Sequence, residues 1–326
     1  MARHKLILVV LTIFLTCSLS WTAGQTEDQT MKATEGKLVI GFIVKNLVNP
    51  FFVAMKEGAE QAGKDYGVDV RVYSPEKAND VEAQIRIMED MIQKKFDAIV
   101  VVPTDSRGII PGIEKANAAG VPVFVANTKA FGGEFLTFAG ISHTEIAQLM
   151  TEKLCQELGG KGNIVVISGV PGAQTTLDKK PGIESALEKY PGVKVLDWQS
   201  GMYQREKAMT VMEDFLTKYP NIDGVMAQDD GMALGAIEAI RAAGRLGDIV
   251  VVGANATPDA LQAVKNGELA ATIDSAPERQ AYLPTEAAIK YLKEGVVPPK
   301  EIPVSLARNV IDKSNVEEFM AKKGIK

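Results

Sequence analysis

Two adjacent carboxylates, Asp229 and Asp230, precede the helical pattern GMALGAIEAI. Beyond residue 24 of the 326-residue chain there is one histidine, His143, and one cysteine, Cys155. Paired acids raise the question of acid–base chemistry, but neighbours in sequence do not form a separated pair flanking a bond. His143 follows a predicted strand and has no evident serine or cysteine nucleophile beside it. Cys155 lies among the apolar residues of EIAQLMTEKLCQEL and reads as core. One cysteine and one histidine are too few for a thiolate–imidazole metal centre. The opening strand–helix turn is GFIVKNLVNP rather than GxGxxG, and no GxxxxGK[ST] occurs. GVPGAQ bears glycines but lacks the Lys-Ser/Thr ending, so it reads as a loop. The balance disfavours an enzyme and gives no reason to expect a cofactor.

The elements that must position any site alternate regularly. LVIGFIV, VDVRVYS, DAIVVVP, VPVFVAN, NIVVIS, VKVLDW, DGVMAQ, IVVVGAN and LAATID are predicted strands, separated by amphipathic helical patterns. Such alternation predicts parallel sheets with helices on both faces. The order also recurs. GVDVRVYSP is echoed by GVKVLDWQS, KKFDAIVVVPTD by YPNIDGVMAQDD, and IEKANAAGVPVFVANT by IEAIRAAGRLGDIVVVGANAT, each about 125 residues on. The spacing predicts two similar α/β lobes, each a Rossmann-like, doubly wound parallel sheet.

Sheets of this kind bind ligands beyond the carboxyl ends of their strands, and two facing lobes place those ends across one cleft. The first lobe then offers Lys45, Asn46, Asn49, Ser74, Thr104 with Asp105, and Asn127 with Thr128. The second offers Gly169 to Thr176, Trp198 to Tyr203, Asp229 with Asp230, Asn255 and Ser275. Amides, hydroxyls and carboxylates beside Phe51, Phe52 and Tyr203 suit a small polyhydroxylated ligand, with rings covering its C–H faces. Asn49 before Pro50 is also a helix N-cap. Successive helical side chains diverge by about 100°, so at least one of Phe51 and Phe52 is expected in the cleft. One of Asp229 and Asp230 is expected to cap the next helix, leaving the other to accept from a ligand. Thr257-Pro258 already supplies a helix start, which leaves Asn255 without that duty. Lys45 reads equally as a solvated strand end or as a cleft residue.

The bulk composition fits this reading: 46% hydrophobic, 24% charged and a net charge of −5, which offers no basic field for nucleic acid. Residues 1–24 carry a basic start (Arg3, His4, Lys5), an apolar run from Leu6 to Thr16 and small residues suited to cleavage after Ser20 or Gly24. That pattern predicts a signal peptide and a periplasmic or extracytoplasmic location. Lipoprotein anchoring through Cys17 ranks lower, because Thr16 precedes it. A polar linker is expected over residues 25–36.

At VKNLVNPFF, AQDDGMALGA and VVGANATPDALQAVKNGELAATI the chain resembles the ribose-binding protein family of type I periplasmic binding proteins, from about Lys37 to the C-terminus. The resemblance implies two lobes joined by three hinge crossings, 37–141 plus 276–304 and 142–275 plus 305–326. It also implies an interlobe ligand, delivery to an ABC transporter permease and, in some members, presentation to a chemoreceptor; a receptor kinase is the remaining partner class. Asn49, Phe51 and Phe52 fall on the family's sugar-contacting segment, and Tyr203 where an aromatic is usual. Asp229 falls at the end of the AQxD strand and Asn255 after VVG. Several positions depart from the pattern. Asn127-Thr128 replaces Asp-Arg, and the Arg expected in TTLDKKPG falls on Leu177, with Asp178 and Lys179 beside it. Asn255 replaces Asp, Ser275 replaces Gln, and Lys45 stands where Ser is frequent. These exchanges lead to the expectation of a polyol, inositol or modified sugar, with a carboxylate- or carbonyl-bearing ligand near Lys45 as the variant. A sugar-responsive repressor shares the two lobes but begins with a DNA-binding helix-turn-helix, where this sequence has the predicted export signal, so that reading is not expected.

Overall fold

A computed structural model describes residues 37–306 and 310–325. The expected signal peptide, Cys17 and the linker lie outside the described residues. Each apolar run becomes a strand and each amphipathic stretch a helix. In the first sheet are β1 (Val39–Ile43), β2 (Asp69–Tyr73), β3 (Ala98–Val101), β4 (Val123–Ala126), β5 (Phe138–Gly140) and β11 (Glu301–Pro303). The second holds β6 (Lys161–Ser168), β7 (Gly192–Ser200), β8 (Gly224–Ala227), β9 (Val250–Val252), β10 (Ala271–Ile273) and β12 (Val310–Asp312). Strand order is β11-β5-β4-β3-β1-β2 in one and β12-β10-β9-β8-β6-β7 in the other. All pairings are parallel except β10 with β12. The two orders are the same once the strands are matched, so the repeat in sequence is a repeat in topology. Each sheet reverses direction of winding at its first strand, between β1 and β3 and between β6 and β8.

Helices α1 (Pro50–Tyr66) and α9 (Pro277–Glu294) cover one face of the first sheet, and α2 (Val81–Gln93) and α3 (Ile110–Ala118) the other. In the second lobe α4 (His143–Glu157) and α5 (Gln174–Glu188) lie opposite α6 (Arg205–Lys218), α7 (Asp230–Ala242) and α8 (Pro258–Asn266). Adjacent strand residues feed opposite cores: Phe42 packs with Phe52 and Met55, while Ile43 packs with Met88 and Met91. Two-sided burial explains why these strands read as continuous apolar runs. The chain passes between the sheets after β5, after β10 and after β11.

The α1–α9 pair depends on a close approach at Gly58, where an added Cβ would stand 2.1 Å from the carbonyl oxygen of Glu278. Gly58→Ala is therefore expected to lower the unfolding free energy by about 1–3 kcal/mol in a urea titration. An unchanged midpoint would show that the helices separate at no cost.

Candidate functional site

The strand ends at both winding reversals face one another and enclose a cavity. From the first lobe Lys45, Asn49, Phe51, Phe52 and Asn127 line it, with Ile141 and His143 at the first crossing. From the second come Ile146, Thr175, Lys179, Tyr203, Asp229 and Asn255, with Ser275 at the second crossing. Helix starts set several of these positions. Asn49 is the N-cap of α1: its Oδ1 accepts from the Phe51 amide at 3.0 Å, while its Nδ2 donates across the cleft to Asp229 Oδ2 at 2.9 Å. Asp229 caps α7 in turn, its Oδ1 accepting from the Met232 amide at 2.8 Å. Further interlobe bonds run from Asn79 Nδ2 to the Met202 carbonyl (2.8 Å) and from the Ser106 amide to the Gly172 carbonyl (3.0 Å). The lobes are closed on each other.

Tyr203 forms the floor between the lobes. Its hydroxyl accepts from Thr176 Oγ1 at 3.0 Å, and its ring lies where a side chain at position 169 would be, a Cβ there meeting it at 1.9 Å. Gly169 is thus required for the ring to lie flat against the turn. Two ammonium groups approach that ring: Lys45 Nζ at 5.6 Å and Lys179 Nζ at 5.2 Å from its centroid. Lys179 donates to the Gln228 carbonyl at 2.6 Å. Lys45 is 1% exposed and makes no hydrogen bond or ion pair among the described residues. Burial, and then the positive charge of Lys179, push its pKa down from 10.5 to about 7, with Asp105 opposing. Burial raises the Asp229 carboxyl against the Met232 amide, Lys179 and Asn49.

The crossing side of the cavity is a hydrogen-bonded wall. Asn127 Nδ2 donates to Gln280 Oε1 (2.9 Å), Gln280 Nε2 to the Ser275 carbonyl (2.7 Å), and Ser275 Oγ to Asn255 Oδ1 (2.9 Å). Asn255 holds φ at 122°, a conformation costly for a side-chain-bearing residue, and this bond together with its amide donating to Ile273 fixes it there. Its Nδ2 is left as a donor. His143 is buried and its Nε2 donates to the Asn127 carbonyl at 3.2 Å; burial and the nearby lysines push its pKa down to about 3. A neutral ring protonated at Nε2 leaves Nδ1 as an acceptor, and Nδ1 has no partner among the described residues.

Of the residues singled out in the sequence, ten line the cavity: Lys45, Asn49, Phe51, Phe52, Asn127, Thr175, Tyr203, Asp229, Asn255 and Ser275. Asn46, Ser74, Thr104, Asp105 and Trp198 lie outside its lining, as do Thr128, Leu177 and Asp178. Thr128 sits behind Asn127 and donates to its Oδ1 at 3.1 Å. Leu177 is 44% exposed, and Asp178 accepts from Gln174 on the same helix. The reason is helical phase: Thr175 and Lys179, four apart, share a face of α5, and Leu177 between them points away. Lys179 thus takes the place expected of position 177. The two acids also divide differently from expectation. Asp229 is both cap and cavity residue, whereas Asp230 lies behind it, accepting from Thr272 Oγ1 (2.7 Å) and the Thr257 amide (2.9 Å) to hold the loop that carries Asn255. Both Phe51 and Phe52 reach the cavity while joining the core. The residues missed were Lys179, His143 and the apolar Ile141 and Ile146, none of which carries a local signal.

Two doubly wound lobes closed over a polar cavity at their strand ends define a cleft-binding α/β protein. The chain belongs to the periplasmic binding protein family: the family model described as "Periplasmic binding protein domain" matches residues 40–295. It is 34% identical over 288 residues to the ribose import binding protein of Bacillus subtilis (strain 168), covering 88% of this chain and 92% of that protein. An ABC transporter periplasmic solute-binding protein from Actinobacillus succinogenes 130z with bound D-allose superimposes with a TM-score of 0.80 at 32% identity, over 86% of this chain and all of that one. A Bacillus halodurans C-125 solute-binding protein with bound myo-inositol gives 0.80 at 29%, over 89% and 99%.

A lysine whose pKa is depressed in the folded state binds fewer protons there than when unfolded, so its destabilisation is full below about pH 7 and fades as pH rises towards 10.5. Lys45→Met removes that charge. The variant is expected to melt roughly 5 °C above the parent at pH 6, with the gap shrinking by pH 9. A lower melting temperature at both pH values would mean that Lys45 is stabilised by contacts this geometry does not contain.

Proposed function

We propose that the protein is the extracytoplasmic binding component of an ABC transporter, capturing a sugar, polyol or related polyhydroxylated molecule between its lobes. The observation that carries this reading is the cavity itself: amide, hydroxyl, carboxylate and ammonium groups from both lobes converge with aromatic rings at the strand ends. The relatives point the same way, being named for ribose and solved with D-allose and myo-inositol. Ligand favours the closed form because only there do both sets of strand ends reach it. A membrane permease that docks the closed surface thereby reads occupancy; a chemoreceptor or sensor kinase would read the same state. The family is one of solute-binding proteins, and we take the protein to turn over no substrate. The basic-apolar-small pattern of residues 1–24 supports export through a signal peptide.

Thermal unfolding of residues 25–326 against pentoses, hexoses, polyols, inositols and sugar acids tests the reading. A ligand at a thousand times its dissociation constant adds about 4 kcal/mol and raises the melting temperature by several degrees. No rise with any of these classes would sink it. Asn255→Ala removes a cavity donor and the anchor of the wall; affinity for whichever ligand binds is expected to fall by about tenfold or more. Calorimetry showing parental affinity would remove Asn255 from the site.

A further inference from the structure

The donors and acceptors around the cavity do not balance. Asp229 is its one lining carboxylate, and both oxygens are already engaged, by Met232 and by Asn49. Lys45 and Lys179 are 1% and 5% exposed, and both approach Tyr203, one from each lobe. All three protons of Lys45 and two of Lys179 have no acceptor among the described residues. The Nδ2 of Asn255 adds another donor, while His143 Nδ1 is an acceptor. Asp105, outside the lining, accepts from the amides of Arg107 and Gly108 at Oδ1 and acts on Lys45 through its charge without a hydrogen bond to it. A buried ammonium without an acceptor is costly, and two of like sign at one ring more so. A neutral sugar offers hydroxyls but no charged acceptor for either ammonium.

We propose that the ligand is a sugar acid, a polyhydroxylated monocarboxylate whose carboxylate lies between Lys45 Nζ and Lys179 Nζ and whose hydroxyls meet Asn255 and His143 Nδ1. The inference rests on the binding reading above and narrows its ligand class. A single carboxylate supplies a charged acceptor to both ammonium groups; with Asp105 and Asp229 already near them, a phosphate dianion would overshoot. The groups facing Lys45 are Lys179 on α5, Asp229 at the start of α7, Asp105 after β3, His143 at the start of α4 and the Tyr203 ring. With Lys45 held at about 7 and a sugar carboxylate ionised throughout, binding the acid requires Lys45 protonated. Affinity for the acid is flat below about pH 7 and falls above it.

Isothermal titration of the mature chain with matched pairs decides the point: D-ribose with D-ribonate, D-glucose with D-glucuronate and D-galactose with D-galacturonate, each at pH 6, 7.5 and 9. The expected result is at least tenfold tighter binding of an acid than of its parent, weakening by tenfold or more between pH 7.5 and 9. In Lys45→Met, whose folding is checked by its melting transition, the acid-to-parent ratio is expected to drop at least tenfold. Equal or tighter binding of the neutral sugars overturns the inference and leaves the binding reading standing. Tighter binding of D-ribose 5-phosphate than of D-ribonate also overturns it. If no sugar, polyol, inositol or acid binds, both fail together.

Discussion

A single hydrogen bond between two helix caps sets the geometry of the cleft. Asn49 Nδ2 and Asp229 Oδ2 meet at 2.9 Å, and each residue also caps a helix, α1 in one lobe and α7 in the other. A cap is among the most tightly placed side chains in a helical protein, because an oxygen, Oδ1 in both residues here, is tied to a first-turn amide. Joining two of them fixes the separation of the lobes at this point, and the Asn79–Met202 and Ser106–Gly172 bonds fix their rotation about it. Both caps stand at the winding reversals of their sheets, so the same bond brings the ligand-facing loops into one space. The other cavity contacts follow from that alignment: the Tyr203 ring between two lysines, and Asp229 held close to Asn49.

Polar groups on the crossing side complement this latch. The chain Asn127–Gln280–Ser275–Asn255 passes from the first lobe through the second crossing to the second lobe, with each bond between 2.7 and 2.9 Å. It holds Asn127 and Asn255 in backbone conformations with positive φ, and it turns the hinge side into a wall rather than a gap. Asp230 supports that wall from behind. Burial pushes its carboxyl up to about 7, and its bonds to Thr257 and Thr272 keep the Asn255 loop in register with β10. One face of the cavity is thus built from neutral amides and a neutral imidazole, while the opposite face carries the charge.

Much of this was legible in the chain before any coordinates. The nine longer apolar runs are strands, and the 125-residue echo is a duplicated topology. The strands β5, β11 and β12 were not among them; they are three residues long, as β9 and β10 also are, and they sit at or near sheet edges beside the crossings. Within the site, residues at strand ends were readable because winding order alone places them. Lys179 was not, because it lies inside a helix: only the phase set by Thr175 shows that position 179 faces inward and position 177 outward. His143 has no nucleophile beside it in sequence, and its place at the start of α4, with Nε2 donating to Asn127, leaves its Nδ1 as an acceptor towards the cavity.

The sequence by itself determined the two lobes, the winding of their sheets and the helix caps at their strand ends, since period, turn chemistry and repetition are local properties written along the chain. Tertiary structure alone decided which of those ends meet. The burial of Lys45 and its approach to Lys179 across Tyr203 join residues more than 130 positions apart. Electrostatics between them exists only once closure has removed the water that would otherwise screen each charge.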